Sequence, residues 1–142
     1  MSFSNPPDSE IRAILSEPVT VAVVGCSSSL SRDSLRIAKL LRSRGFKVIP
    51  VNPQLDPDAL REHLGEKCYP DLASIPEPVQ MVDVFRRSEF LPAIVEEAIA
   101  SGARILWCQL GVVNLDAARR AQQAGIKVVM DRCPAIEYAR MS

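Results

Sequence analysis

The stretch Val21 to Ser34, VAVVGCSSSLSRDS, sets one glycine, a run of hydroxyls and an arginine directly behind an apolar segment. Residues of these types in this order can hold an anion. Gly25 lets the backbone turn sharply, and the N–H groups and hydroxyls of Ser27, Ser28 and Ser29 can bond phosphate oxygens beside the positive end of a following helix. The outline is that of a pyrophosphate site, although serine-rich turns also serve as plain connections. The second and third glycines of the dinucleotide fingerprint are missing.

A second set of residues narrows the ligand. NAD-binding halves usually end their second strand in Asp or Glu, which takes the ribose hydroxyls, whereas this chain reads Val51-Asn52-Pro53 there. Ordinary NAD recognition is weakened. Arg32 and Lys47 could instead meet an additional phosphate on the ribose, by bidentate contact or point charge. Lys47 is equally readable as a solvated strand-end lysine. Phe85, Arg86 and Arg87 follow the third strand and could stack on a purine or screen phosphates. Alternatively, Phe85 is core and the arginines pair with Glu89 or nearby acids.

Catalytic constellations are sparse. The single histidine, His63, sits among charged neighbours in LREHLGE and reads as a surface residue. No GxSxG, P-loop or HExxH is present. The four cysteines, Cys26, Cys68, Cys108 and Cys133, lie far apart without a CxxC, so neither a zinc site nor a redox pair has local support. They read as buried or semi-buried free thiols. Cys26, Cys108 and Cys133 all fall near strand ends. A nucleophilic Cys26 would need its pKa lowered by a helix N-terminus, and no histidine base is at hand.

The elements that must position these residues are legible in the pattern. Five apolar, β-branched runs alternate with segments of helical period: Val19 to Gly25, Phe46 to Val51, Met81 to Phe85, Arg104 to Leu110, and Ile126 to Met130. Short continuous apolar strands separated by amphipathic helices predict a single Rossmann-like α/β domain over residues 1–142. Its doubly wound, mainly parallel five-stranded sheet would carry helices on both faces. Asp33 or Ser34, Ser88 and Asn114 are candidate helix caps, with Gly45, Gly102 and Gly125 as stops. Between Asn52 and Pro78, five of the 11 prolines break the rhythm. That segment predicts one short helix near Asp58 to Leu64 and a helical turn at Asp71 to Ser74. Residues 1–17 predict a helix from Ser9 to Ser16 packed on the sheet, or a partly disordered extension.

With 17 Lys and Arg against 17 Asp and Glu, no global field draws the chain to nucleic acid or an anionic membrane. The absence of a secretory leader or an apolar run of membrane-span length makes cytoplasmic localisation the expectation. In a doubly wound sheet a ligand lies beyond the carboxyl ends of the strands. Strand-end residues therefore carry the functional reading.

Those residues also carry a resemblance. VAVVGCS, GFKVIPVNP, MVDVFRRSE, ILWCQLGVVN and VVMDRCPAIE together resemble the stand-alone CoA-binding proteins, small relatives of the CoA-binding domain in the α subunit of succinyl-CoA synthetase. The resemblance runs from about Pro18 to Tyr138. It implies a Rossmann-like domain that binds coenzyme A or an acyl-CoA. Gly25, Ser27 and Ser28 would hold the pyrophosphate region and Lys47 would meet a CoA phosphate. Asn52 and Pro53 would border the adenosine, Phe85 and Arg86 would line the nucleotide, and Gln109 and Gly111 match the loop nearest the pantetheine end.

Two departures qualify the transfer. A helix opening that often reads Arg-Pro-Ser in the family is Arg32-Asp33-Ser34 here, which sets a negative charge beside the phosphates and puts the role of Arg32 in question. Gln54 stands where a basic residue is common. The synthetase's phosphorylated histidine and nucleotide-binding partner lie outside the part resembled, so the expectation is binding without acyl-CoA synthesis. Three alternatives stay open: an NAD(P)-linked enzyme or redox sensor, an accessory subunit of an acyl-CoA ligase, and exchange between a cysteine and the CoA thiol. A homodimer or an unidentified protein partner is compatible with each.

Overall fold

The β-branched runs form β1 (Thr20–Val24), β2 (Lys47–Val51), β3 (Met81–Val84), β4 (Ile105–Cys108) and β5 (Lys127–Val129). A computed structural model, which describes residues 3–141, joins them in one all-parallel sheet ordered β2-β1-β3-β4-β5. The helices are α1 (Asp8–Ser16), α2 (Asp33–Ser43), α3 (Arg61–Leu64), α4 (Leu91–Ser101), α5 (Leu115–Gln123) and α6 (Pro134–Met141). This is the doubly wound, Rossmann-like α/β architecture that the pattern predicts.

Strand alternation divides the core into two layers. Ala22, Val24, Ile49, Val51, Val82, Val84 and Leu106 pack under α4 and α5, through Ile94, Val95, Ala98, Ala117, Ala118 and Ala121. On the other face Val21, Val23, Val48, Met81, Trp107 and Val129 meet Ile11 and Leu15 of α1, Leu35, Ala38 and Leu41 of α2, Leu64 of α3 and Tyr138 of α6. Both faces are covered, which is why the strands read as unbroken apolar runs rather than as alternating ones.

Several local expectations are met and several are displaced. Asn114 caps α5 by accepting from the Ala117 N–H at 3.0 Å. Pro92 lies in the first turn of α4. That helix, however, is preceded by a 3-10 turn at Ser88–Phe90 rather than capped by Ser88. At α2 the flanking residue is Arg32, with no side-chain cap, and the buried Ser34 hydroxyl accepts instead from the Ser27 N–H of the preceding loop. The short helix begins at Arg61 rather than near Asp58, since Asp56 and Asp58 bond their own backbone and side-chain neighbours in turns. Helix α6 is not anticipated by the periodicity. The N-terminal helix forms on the sheet, and Asn5 ties the segment before it to the sheet edge by exchanging two hydrogen bonds with the Met130 backbone, 2.9 and 2.7 Å. Met1 and Ser2 of the proposed extension lie outside the described residues.

Candidate functional site

Strand order reverses at β1, with β2 on one side and β3 on the other, so the loops leaving β1 and β3 part and open a crevice at the carboxyl end of the sheet. Gly25 sits at that parting with φ +86°, a left-handed conformation that L side chains resist. A Cβ there would stand 3.0 Å from Arg86 Cδ and 3.2 Å from the Phe85 carbonyl carbon. Both conformation and space therefore require glycine, and the first loop runs close against the third.

The serine run folds on itself. Ser27 N–H donates to Ser34 Oγ (2.9 Å), Ser29 N–H to Ser27 Oγ (3.0 Å), and Ser31 N–H to Ser29 Oγ (3.3 Å). Asn52, just beyond β2, donates through Nδ2 to the Cys26 carbonyl (3.0 Å) and accepts from the Gln54 N–H through Oδ1 (2.9 Å). One side chain thus locks the two loops that form the crevice.

An open cavity of about 740 Å³ results, lined by Gly25, Ser27, Ser28, Ser31, Arg32, Asp33, Ser34, Arg36, Asn52, Gln54, Leu55 and Phe85. It lies at the N-terminus of α2, where unpaired backbone N–H groups favour an anion. Two guanidinium groups reach it. Arg36 is braced by Asp33 and by the carbonyls of Leu30 and Ser31, which answers the charge that Asp33 brings. On the far side of Gly25 a smaller cavity of about 190 Å³ is walled by Val24, Val51, Pro53, Pro70, Leu72, Phe90, Ala93 and Ile94, with Arg86 and the acids Asp71 and Glu97 also lining it. The Arg86 guanidinium carbon stands 4.3 Å from the centroid of the Phe90 ring.

Eight of the eleven candidate residues come together here. Gly25, Ser27, Ser28, Arg32, Asn52 and Phe85 line the larger cavity, and Pro53 and Arg86 join Gly25 around the smaller. The other three do not. Lys47 is the first residue of β2, at the opposite end of the sheet, and its ammonium pairs with Glu77 (2.8 Å) and Glu66 (3.8 Å). The length of β2, on the order of 13 Å of extended chain, lies between it and the crevice. Gln109 turns inward: it is 5% exposed, and its amide donates to Asp83 rather than facing a ligand. The Gly111 N–H is committed to Asp131 Oδ1 (2.7 Å), and its carbonyl accepts from Ser88 Oγ (3.1 Å). Ser31, Ser34, Arg36 and Leu55 are lining residues absent from the candidate set, while Asp33 and Gln54, the two departures from the family pattern, line the cavity as well. The signal for Arg36 was its place one helical turn after Arg32.

Burial quiets three of the four thiols. Burial pushes Cys26 up to about 12 despite its place near a helix start, and it does the same to Cys108. Cys68 is also raised by burial. His63 lies on α3 and lines neither cavity. Among the described residues there is no cluster of His, Cys, Asp and Glu fit to hold a metal, and no helix is long and apolar enough to cross a membrane.

Comparison with known proteins agrees with the geometry. The CoA binding domain family model matches residues 19–139. The uncharacterized protein YneT of Bacillus subtilis (strain 168) is 38% identical over 137 residues, covering 96% of this chain and 98% of that one. A hypothetical protein of Pyrococcus horikoshii OT3 has a solved structure that superposes with a TM-score of 0.86 at 35% identity, covering 99% of this chain and 98% of that one. An ADP-forming acetate–CoA ligase of Archaeoglobus fulgidus is 29% identical over 126 residues, 82% of this chain but only 18% of the ligase. A crevice at the strand-order reversal, a glycine that admits no side chain and a match over nearly the whole described chain lead to one assignment: this chain belongs to the CoA binding domain family.

Proposed function

We propose that residues 1–142 form one domain that binds coenzyme A, or an acyl-CoA, at the carboxyl end of its sheet without catalysis of its own. The observation that carries this reading is the large cavity at the start of α2, where Gly25, the serine loop, Arg32 and Arg36 meet. Its polar, cationic lining suits a pyrophosphate and a ribose phosphate, and the mainly apolar slot beyond Gly25, with Arg86, Asp71 and Glu97 among its lining, suits a purine or an aliphatic arm. CoA would supply a thiol for carrying acyl groups. The protein's part is to grip the nucleotide end: backbone and hydroxyls for the pyrophosphate, guanidinium groups for the remaining charge, and Asn52 to hold the loops in register.

The chemistry of the thiols supports a binding role. With Cys26 and Cys108 pushed up to about 12, neither is a thiolate at neutral pH, which also weighs against exchange of these two with the CoA thiol. NAD is disfavoured because Asn52, not an acid, follows β2 directly, and its side chain is occupied by Cys26 and Gln54.

Isothermal titration of ligand-stripped protein with CoA, dephospho-CoA, NAD and NADP tests the reading. CoA binding that weakens without the 3′-phosphate is the expected result, and a preference for NAD or NADP would overturn it. A second reading, an accessory subunit of an acyl-CoA ligase, draws on the ligase relatives, of which this chain spans under a fifth. It predicts co-purification with a partner that confers ATP-dependent acyl-CoA formation.

A further inference from the structure

One buried charged residue is used by none of the foregoing. Asp83, in the middle of β3, is fully buried between Val23 and Trp107 of the neighbouring strands. Its Oδ1 accepts from the Gln109 amide, while Oδ2 has no partner among the described residues, although buried carboxyl oxygens are nearly always bonded. We propose that Asp83 is a positioning residue that holds Gln109, and through it the loop between β4 and α5, in place at the carboxyl end of the sheet.

The loop has few other anchors. Leu110 and Val113 are exposed, and beyond Gln109 itself Val112 is the buried side chain. Its remaining ties are hydrogen bonds: Gln109 N–H to the Val84 carbonyl, Gly111 N–H to Asp131, and the Ser88 hydroxyl bridging the Gly111 carbonyl and the Val113 N–H. Ser88 opens the turn that carries Phe90, the ring beneath Arg86 in the wall of the smaller cavity. A continuous chain of contacts therefore runs from Asp83 to the crevice. Its consequence for ligand rests on the CoA reading above, whereas its effect on the loop does not.

The protonation state decides how firmly this latch holds. Facing Asp83 is the neutral thiol of Cys26, after β1, while that of Cys108, on β4, lies close by in the opposite core layer. From α6 the same core layer receives Tyr138, and beside it Glu137 is paired with Arg132 and Arg140. α1 and α2 bring apolar side chains to that layer. Among the described residues no cation is paired with the carboxyl, and burial pushes Asp83 up to about 7. As a neutral acid it fits its surroundings with one hydrogen bond. When its proton leaves to solvent, a charge with a single donor remains in an apolar layer, and opening the loop to admit water is the local relief.

Trp107, the single tryptophan and the strand neighbour of Asp83, reports the titration without any ligand. Ligand-free wild type should show a Trp107 emission change with a midpoint near 7 that Asp83→Asn, which keeps the acceptor but cannot ionise, abolishes. Amide hydrogen exchange at Val112 and Val113 near pH 8.5 should be about tenfold faster in wild type than in Asp83→Asn, and equal near pH 5.5. Gln109→Ala, which cuts the latch without touching the carboxyl, should speed exchange at both pH values. Equal exchange in wild type and Asp83→Asn at both pH values, or protection unchanged in Gln109→Ala, would overturn the proposal. CoA titrations at the same two pH values add the functional arm: loss of affinity at the higher pH in wild type but not in Asp83→Asn is expected. A protein that binds no CoA at either pH, yet shows the exchange difference, refutes the CoA reading and leaves the latch standing.

Discussion

The Asn52 side chain and the Cys26 carbonyl are joined by a 3.0 Å hydrogen bond across the mouth of the crevice, so the loop that turns at Gly25 and the loop that leaves β2 move as one. Cys26 is fully buried, and its carbonyl has few other sources of a donor. Asn52→Ala should therefore cost about 1–3 kcal/mol of stability, the usual penalty for orphaning a buried acceptor. It should also weaken CoA, because the serine loop is no longer fixed against β2. Urea denaturation and titration calorimetry check the two effects. A stable variant with unchanged affinity would show that the loops hold their register without this bond.

Gly25→Ala should be more damaging to the site than its small size suggests. The φ of +86° is costly for alanine by roughly 1–2 kcal/mol, and the new methyl would press on Phe85 backbone atoms that cannot rotate away. The relief is to push the loops after β1 and β3 apart. Thermal denaturation should register the loss, and CoA affinity should fall by about tenfold or more, since both cavities share this residue.

The charge assignments separate cleanly by position. Arg32→Ala and Arg36→Ala should each weaken CoA by about tenfold and flatten its salt dependence, as expected for guanidinium contacts to phosphate. Lys47→Ala should leave CoA affinity unchanged within error, because that ammonium pairs with Glu66 and Glu77 at the far end of β2. Titrations at two ionic strengths decide it. A loss of affinity in the Lys47 variant would return that residue to the site.

How far the sequence discloses this arrangement depends on what kind of fact is asked. Strand positions follow from apolar runs because both faces of the sheet are covered, and Gly25 follows from a strand that meets a turn and a helix. The direction of a side chain is a different matter. Gln109 sits at a strand end, where a ligand contact is reasonable, yet its amide turns inward because Asp83 is buried there and needs a donor. Asp83 itself is one polar letter in MVDVF and gives no sign of its isolation. Lys47 is a cation of suitable type, but its partners Glu66 and Glu77 come from the proline-rich segment, whose path has no periodicity to read. Helix α6 is only eight residues long, too short for a convincing repeat.

The last prediction concerns stability and pH. Asp83 is pushed up to about 7 by burial from an ordinary 3.8, so between those values the native state holds a proton that the unfolded chain has lost. The raised value means that its stabilising contribution is full below about pH 4, fades as pH rises, and is gone above about pH 7. At about 1.4 kcal/mol per pH unit the difference amounts to a few kcal/mol at most. Asp83→Asn has no such dependence. Urea midpoints measured from about pH 4 to pH 8.5 should therefore show wild type losing ground steadily to the variant, with Asp83→Asn the more stable protein at the alkaline end. The remaining carboxylates titrate in both proteins and cancel in the comparison. Parallel curves would mean that Asp83 is ionised throughout and that water or a cation reaches Oδ2 from the crevice.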